Sequence, residues 1–332
     1  MRNFICAVQG YGKIGFIHCR TLTGMAHVSR VIVIDIDPLM RQNAMLASPK
    51  IVVYADLTEC LRFEKQIDYM VISTPIRAHF ENLCEGINLG LNILVEKPFV
   101  PDIESALSVI ELSKQHNSII GVGMIERFNP VISKVKESIE SGVIGRVLEI
   151  QTRRWGIMPP NQDYGVMLDL APHDVDVCRF LLNQEYQEVF LISDGEPDEE
   201  TTAIIAAKSS EGSLISNSVS WINSFKMREI MIFGEAGSIK IDTAKSDATL
   251  YKISESLVEN DNLKFIIGER SSNHFSIDHV RIEPMANQHL VFQSAIINNN
   301  QESIVTLDEA YKSLFVIHSA KLSRKLNLPT LL

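Results

Sequence analysis

Two short stretches carry residue types suited to moving a proton at a hydroxyl group. The first is Asn92-Ile-Leu-Val-Glu-Lys-Pro-Phe99, an apolar run that ends abruptly in an acid, a base and a proline. Ile93 to Val95 reads as a short buried strand, so Glu96 and Lys97 fall at its C-terminal end, where open α/β sheets bind ligands. Pro98 fixes its own φ and donates no hydrogen bond, so the sheet should stop there and the chain should turn. A lysine at such a spot can have its charge tuned by burial and neighbours. A strand end capped by a surface ion pair would show the same residues.

The second stretch, Leu168 to Leu182, reads as a helix with Pro172 near its first turn. Asp169 and His173 are spaced to share one face or to meet across the opening turn. A carboxylate beside an imidazole orients the ring and raises its basicity, as a general base for an alcohol proton requires. An aspartate favoured by the helix dipole and a packed histidine would account for the pair equally well. Asp174 and Asp176 read as solvated helix-face acids. Arg153 and Arg154, beside Trp155 after a strand, can grip a phosphate. Neighbours on a strand point opposite ways, so one of the two should face the site.

The N-terminal part offers these groups a reaction partner. Phe4 to Val8 is an apolar strand that runs into Gln9-Gly10-Tyr11-Gly12-Lys13-Ile14-Gly15, and Phe16 to Leu22 then looks helical. This is G-x-G-x-x-G between strand and helix. Gly10 permits the tight turn, Gly12 lets a pyrophosphate approach the backbone, and Gly15 lets helix and strand pack closely. Lys13 and Ile14 belong to the same candidate cofactor loop. A second apolar strand, Val31 to Ile34, ends at Asp35, where a carboxylate can accept from the adenosine ribose hydroxyls. A turn-forming acid before Asp37-Pro38 is the plainer account of Asp35. Ile36 follows with no arginine beside it, which favours NAD over NADP. Tyr69 to Ser73 is another buried strand, ending in Ser73-Thr74-Pro75, and Ile76 to Leu89 is a helix carrying His79. Ser73, Thr74, Pro75 and Glu96 should line one crevice with the glycine loop. His79 fits either that crevice or an ordinary helix face.

The elements that must position these groups change in character along the chain. Helices at Arg41 to Ala47, Thr58 to Phe63 and Ile103 to Gln115, the last opened by Asp102 or a neighbour, alternate with strands at Ile51 to Val53 and Ile119 to Gly123. Such alternation calls for a parallel, doubly wound sheet. Beyond Gly123, a helix from Val131 to Ser141 leads to strands near Gly145–Thr152, Glu188–Ser193, Thr201–Ala207, Ser213–Val219, Arg228–Gly234, Ser238–Asp242 and Leu263–Ile267. Consecutive strands imply a large, mainly antiparallel sheet. Helices Gln288–Asn298 and Asp308–Leu326 follow. The expected organisation is therefore α/β, with a Rossmann domain over 1–122 and a substrate-binding and oligomerisation domain over 123–332.

Composition bounds the function. The 332 residues are 45% hydrophobic and 22% charged, and the net charge of −10 argues against a surface that neutralises nucleic-acid phosphates. No apolar run is long enough for a membrane span, and the first strand is too short for a signal-peptide core. The cysteines at 6, 19, 60, 84 and 178 form neither a C-x-x-C pair nor a zinc pattern, so no metal is expected. They fit reduced, mostly buried thiols in a cytoplasmic protein.

Glu96-Lys97-Pro98 after a glycine-loop Rossmann half, with Asp169 and His173 later, resembles the Gfo/Idh/MocA oxidoreductase family over nearly the whole chain. The resemblance implies a Rossmann domain, a C-terminal domain whose open sheet face mediates oligomers (a dimer or tetramer), and NAD as cofactor. It also implies a catalytic set of Lys97, Asp169 and His173. Lys97 would hydrogen-bond the substrate hydroxyl and His173, oriented by Asp169, would take its proton, while hydride passes to the nicotinamide. A cis Lys97–Pro98 bond is common in relatives. Ala171 stands where a glycine is frequent. Met124-Ile-Glu-Arg-Phe-Asn-Pro130, Gly165-Val-Met-Leu-Asp-Leu-Ala-Pro-His-Asp174 and Trp221-Ile-Asn-Ser-Phe-Lys-Met-Arg228 look like the branch that oxidises nucleotide sugars, nearest to UDP-N-acetylglucosamine 3-dehydrogenases. Arg127, Asn129, Arg154, Tyr164 and Lys226 would then hold sugar and diphosphate; strand-end and turn roles suit all five as well. An inositol or free-sugar dehydrogenase is the alternative within the family, and a non-catalytic NAD-sensing regulator the alternative outside enzymology.

Overall fold

The structure, a computed structural model, describes residues 2–159, 164–196, 198–252, 273–279 and 282–332. It divides into two compact units, Met1–Ile125 with Glu283–Phe315, and Glu126–Ile282 with Val316–Leu332.

In the first unit, strands β1 (Phe4–Gln9), β2 (Val28–Ile34), β3 (Ile51–Tyr54), β4 (Tyr69–Ile72), β5 (Ile93–Glu96) and β6 (Ile120–Gly123) form one sheet in the order β3-β2-β1-β4-β5-β6. Every pair is parallel. Buried on both faces, the central strands read as unbroken apolar runs, as parallel sheets require. The crossovers are α1 (Lys13–Gly24), α2 (Pro38–Ala47), α3 (Leu57–Phe63), α4 (His79–Asn88) and α5 (Ile103–Ser113). Three of them start at aspartate caps: Asp37, Asp56 and Asp102 accept from Leu39, Glu59 and Ser105 N–H. Asp102 thus opens its helix as expected. The helix expected from Ile76 opens instead as a 3-10 turn before α4, and α2 starts earlier than expected because Pro38 suits a first helical turn. The strand order reverses between β1 and β4, the topological switch point where such sheets bind ligands.

The second unit holds α6 (Pro130–Glu140), β7 (Val147–Ile157), α7 (Val166–Leu182), β8 (Tyr186–Ser193), β9 (Thr202–Ser209), β10 (Leu214–Ser220), β11 (Ile222–Gly234), β12 (Gly237–Asp242), β13 (Asp247–Lys252) and β14 (Asn273–Ser276). Its sheet runs β14-β13-β12-β11-β7-β10-β9-β8, closed at the far edge by β15 (Thr330–Leu331). Among the described residues, all pairings are antiparallel except β7 with β10. Strands β13, β14 and β15 were not expected, and β7 and β11 are longer than their periodicity suggests. The strand expected at Leu263–Ile267 lies outside the described residues. Helix α7 begins at Val166, so Pro172 falls inside it rather than in its first turn. Burial of nearly every α7 residue offsets the hydrogen bond that proline cannot make.

The chain then returns to the first unit with α8 (Pro284–Asn298), before α9 (Leu307–Leu326). Phe292 of α8 packs edge-on against Tyr69 and seats on Gly121, where a Cβ would come within 3.0 Å of its ring. Among the described residues, no helix is long and apolar enough to cross a membrane.

Candidate active site

Because the first sheet is parallel, the residues following each strand gather along one edge. Gly10 follows β1 with φ +90°, a conformation that favours glycine, and a Cβ there would meet the Ser73 backbone at 2.8 Å. Gly15 is tighter still, since its Cβ would lie 1.9 Å from the Gly10 carbonyl oxygen. Gly12 is different: nothing lies within 4 Å of a Cβ built there. It also precedes α1 without a side-chain cap, and the first turn holds no acid. Uncapped N–H groups behind open space form the arrangement a pyrophosphate needs. Lys13 and Ile14 are exposed beside it.

Asp35 stands at the end of β2 and staples the loop. Its carboxylate accepts from Tyr11 N–H at 2.6 Å and from Asp37 N–H at 2.8 Å. Arg41 donates to the Asp35 and Ile36 carbonyls, closing the turn from outside. Ser73 after β4 donates to the Gly10 carbonyl at 2.9 Å, and Thr74 accepts from Asn82. Pro75 is exposed. The residues fit a dinucleotide: the space beside Gly12 admits a phosphate at the start of α1, and Asp35 stands at the end of the neighbouring strand. The Asp35→Ala protein should bind NAD at least tenfold more weakly, since a hydrogen bond involving a charged group is worth about 1.5–3 kcal/mol. Isothermal titration with NAD checks this.

Glu96 and Lys97 end β5 on the same edge, half-buried, and the Lys97–Pro98 peptide is cis, as the resemblance implies. His79 lies beneath them rather than in the crevice. It is 2% exposed, and its ring nitrogens sit 3.0 Å from the Pro98 carbonyl and 2.8 Å from the Thr74 carbonyl. Burial lowers its pKa against the pull of these carbonyls. It therefore ties the turn after β4 to the turn that carries Lys97.

In the second unit, Asp169 and His173 lie one turn apart on α7, and Trp221 donates its indole N–H to Asp169 at 3.2 Å. Trp221, which opens one of the stretches that carry the resemblance, is buried with its polar handle on that acid. Asp174 and Asp176, expected as solvated acids, are instead 2% and 1% exposed. Each is held by an arginine. Arg127 grips Asp176 through two bonds of 2.7 Å. Arg154, 5% exposed, donates to Asp174 at 2.7 Å and to Glu126 at 2.8 Å. Arg153 points to the opposite side and pairs with Glu229. Within this cluster burial raises the Asp174 carboxyl, while Arg154 pulls Glu126 below the ordinary glutamate range despite its burial. Arg228, which ends the same stretch as Trp221, is pushed down to about 10 by burial and by Arg154, and gives hydrogen bonds to the Trp155 and Met227 carbonyls. Asn129 is a buried cap of α6 that also bonds Thr243 and Ser246. Tyr164 is half-buried and Lys226 exposed.

Among the described residues, no cluster of acids, cysteines and histidines could hold a metal. Two profiles match the chain: "Oxidoreductase family, NAD-binding Rossmann fold" over residues 4–124 and "GFO/IDH/MocA C-terminal domain" over residues 132–240. The chain belongs to the Gfo/Idh/MocA oxidoreductase family. Its first unit is the family's NAD-binding Rossmann domain, and NAD is its cofactor. Similar proteins include the uncharacterized oxidoreductase YrbE of Bacillus subtilis, 24% identical over 99% of this chain and 96% of that one. Myo-inositol 2-dehydrogenase of Thermotoga maritima is 28% identical over 72% of this chain and 75% of its own. Among solved structures, UDP-N-acetylglucosamine 3-dehydrogenase GnnA from Acidithiobacillus ferrooxidans has the same fold, with a TM-score of 0.81 at 18% identity, covering 97% of this chain and 98% of that one.

Proposed function

We propose that this Gfo/Idh/MocA oxidoreductase oxidises a secondary hydroxyl of a neutral cyclic polyol or free sugar, with inositols as the leading class. NAD, when bound, takes the hydride. Lys97 donates a hydrogen bond to the reacting oxygen, and His173, oriented by Asp169, accepts its proton. Trp221 holds Asp169 in turn. The observation that carries the choice of substrate is the internal pairing of Arg127 with Asp176 and of Arg154 with Asp174 and Glu126. Guanidiniums already matched by buried carboxylates leave a dianionic diphosphate a weak welcome. The similarity to an inositol dehydrogenase at 28% identity supports the same substrate class.

A UDP-sugar, above all UDP-N-acetylglucosamine oxidised at its 3-hydroxyl, is the second reading. Exposed Lys226 and half-buried Tyr164 keep it open as phosphate and sugar contacts. NADH formation with myo-inositol, scyllo-inositol, N-acetylglucosamine and UDP-N-acetylglucosamine decides between them. Turnover of an inositol supports the first reading. Turnover confined to the UDP-sugar overturns it in favour of the second. NAD binding with every alcohol silent would favour a regulatory protein.

The open face of the second sheet suits a second copy of this chain. Ile192 and Ile204 pair across β8 and β9 and are both exposed, as is Leu214 on β10. Such apolar patches mark interaction surfaces. Ile204→Lys should lower the oligomer's mass towards that of one chain in light scattering, and an unchanged mass would remove this face from the interface.

A further inference from the structure

Behind Glu96 runs a row of buried polar side chains that no step of the proposed reaction uses. His18 of α1 sits with Nε2 2.9 Å from the Glu96 carboxylate and Nδ1 2.9 Å from His289 Nε2. His289 Nδ1 is 2.9 Å from the Tyr69 hydroxyl, and Gln293 donates its amide to that hydroxyl at 3.2 Å. His27 meets the Gln293 carbonyl oxygen at 2.7 Å. His18, His289 and Tyr69 are each 0% exposed. Three elements distant in sequence, α1, β4 and α8, thus converge on one carboxylate in the first unit.

We propose that His18 and His289, backed by Tyr69, form a row of fixed polarity in which every hydrogen bond points towards Glu96, making them positioning residues for the Lys97 turn. The carboxylate only accepts, so His18 donates through Nε2. A neutral His18 then accepts at Nδ1, which makes His289 the Nε2–H form and turns the Tyr69 hydroxyl towards His289. Burial keeps the two groups behind His18 uncharged, driving His289 well below the ordinary imidazole range and Tyr69 well above the ordinary phenol range, so each has a single proton to place. The reverse order would require His18 to donate through both ring nitrogens, to Glu96 and to His289. A proton wire is a poorer fit, because the Gln293 amide interrupts the row and a buried tyrosinate would have to form.

The effect of the row is local. Glu96 faces Gly123 across the β5–β6 ladder, where a Cβ would lie 2.8 Å from its Oε1, so the carboxylate has little freedom on that side. On the other side of Lys97, the Pro98 carbonyl is held by His79. Lys97 is therefore flanked by two residues, each anchored to a buried histidine. Polarity sets how firmly the first anchor holds.

Only the kinetic consequence rests on the dehydrogenase reading. The first test is long-range proton–nitrogen NMR of the full chain labelled with ¹⁵N-histidine, with signals assigned by the His18→Gln and His289→Gln proteins. Both rings are expected as neutral Nε2–H tautomers at neutral pH; an Nδ1–H form or an imidazolium at either position would overturn the proposal. His289→Phe should release His18 into mixed tautomers. It should also lower kcat with myo-inositol, or with whichever alcohol of the panel turns over, by about tenfold or more, with KM and NAD affinity little changed. His289→Gln, which offers one donor and one acceptor, should restore both. A folded His289→Phe protein with His18 unaltered, or a glutamine variant no better than phenylalanine, would sink the idea. If no alcohol reacts, the dehydrogenase reading fails while the tautomers still decide the row.

Discussion

Turnover of the Lys97→Ala protein is expected to fall roughly 10²- to 10⁴-fold, the usual worth of a positioned proton-handling group. NAD affinity should stay largely intact. The separation follows from where the groups lie. The loop Gly10 to Gly15, Asp35 and Ser73 follow β1, β2 and β4, whereas Lys97 follows β5. The turn that carries Lys97 is also held by atoms other than its side chain. His79 meets the Pro98 carbonyl, and the Glu96 carboxylate accepts from His18. Truncation at Lys97 should therefore remove an ammonium and leave the backbone in place. Single-turnover NADH formation and calorimetric titration with NAD measure the two quantities separately. Undiminished turnover would take Lys97 out of the chemistry.

The Arg154→Leu protein should lose about 3–5 kcal/mol of stability, because removing one member of a buried ion network leaves the others uncompensated. Asp174 and Glu126 would then share a buried space without the cation that bonds both. The pH dependence should change as well, because the two carboxyls oppose one another in the native protein, where burial raises Asp174 while Arg154 holds Glu126 down. In the native protein the Glu126 carboxyl is held below the ordinary glutamate range, so its contribution persists above that range and is lost only as pH falls through the lowered value. Without Arg154, burial dominates and pushes both carboxyls up. The folded variant then binds more protons than its unfolded chain, and it gains stability as pH falls from about 7 to about 5. Urea midpoints at the two pH values test this. A variant equally destabilised at both would mean that packing of the long side chain, rather than its charge, matters at this position.

The first unit was largely legible because its signals are local. A glycine loop between strand and helix, an acid at the next strand end and the Asp102 cap each announce an element within a few residues. Burial on both faces leaves the strands uniformly apolar. The second unit was legible as a sheet but not in its edges. Strand β13, Asp-Ala-Thr-Leu-Tyr-Lys, has a weak alternation that only pairing with β12 makes decisive. Asp174 and Asp176 were misread because two acids on a helix look solvated unless their partners are known. Those partners, Arg154 and Arg127, lie 20 and 49 residues away in sequence. The buried row from Glu96 to Tyr69 was invisible for the same reason, since His18 and His289 are separated by 271 residues.

The return of Glu283–Phe315 to the first unit has a consequence for the order of events during synthesis. When residue 125 leaves the ribosome, the parallel sheet has all its strands but lacks α8. Tyr69 and His18 then have no His289 to meet, Gly121 has no Phe292 to seat, and the Val122 amide lacks the Val305 carbonyl it later bonds at 2.8 Å. The missing segment is complete about 190 residues later, a delay of roughly 10–40 s at about 5–20 residues per second. Throughout that interval the contacts of His18, Tyr69, Gly121 and Val122 with this segment cannot form. A fragment ending at residue 125 would lack these contacts permanently.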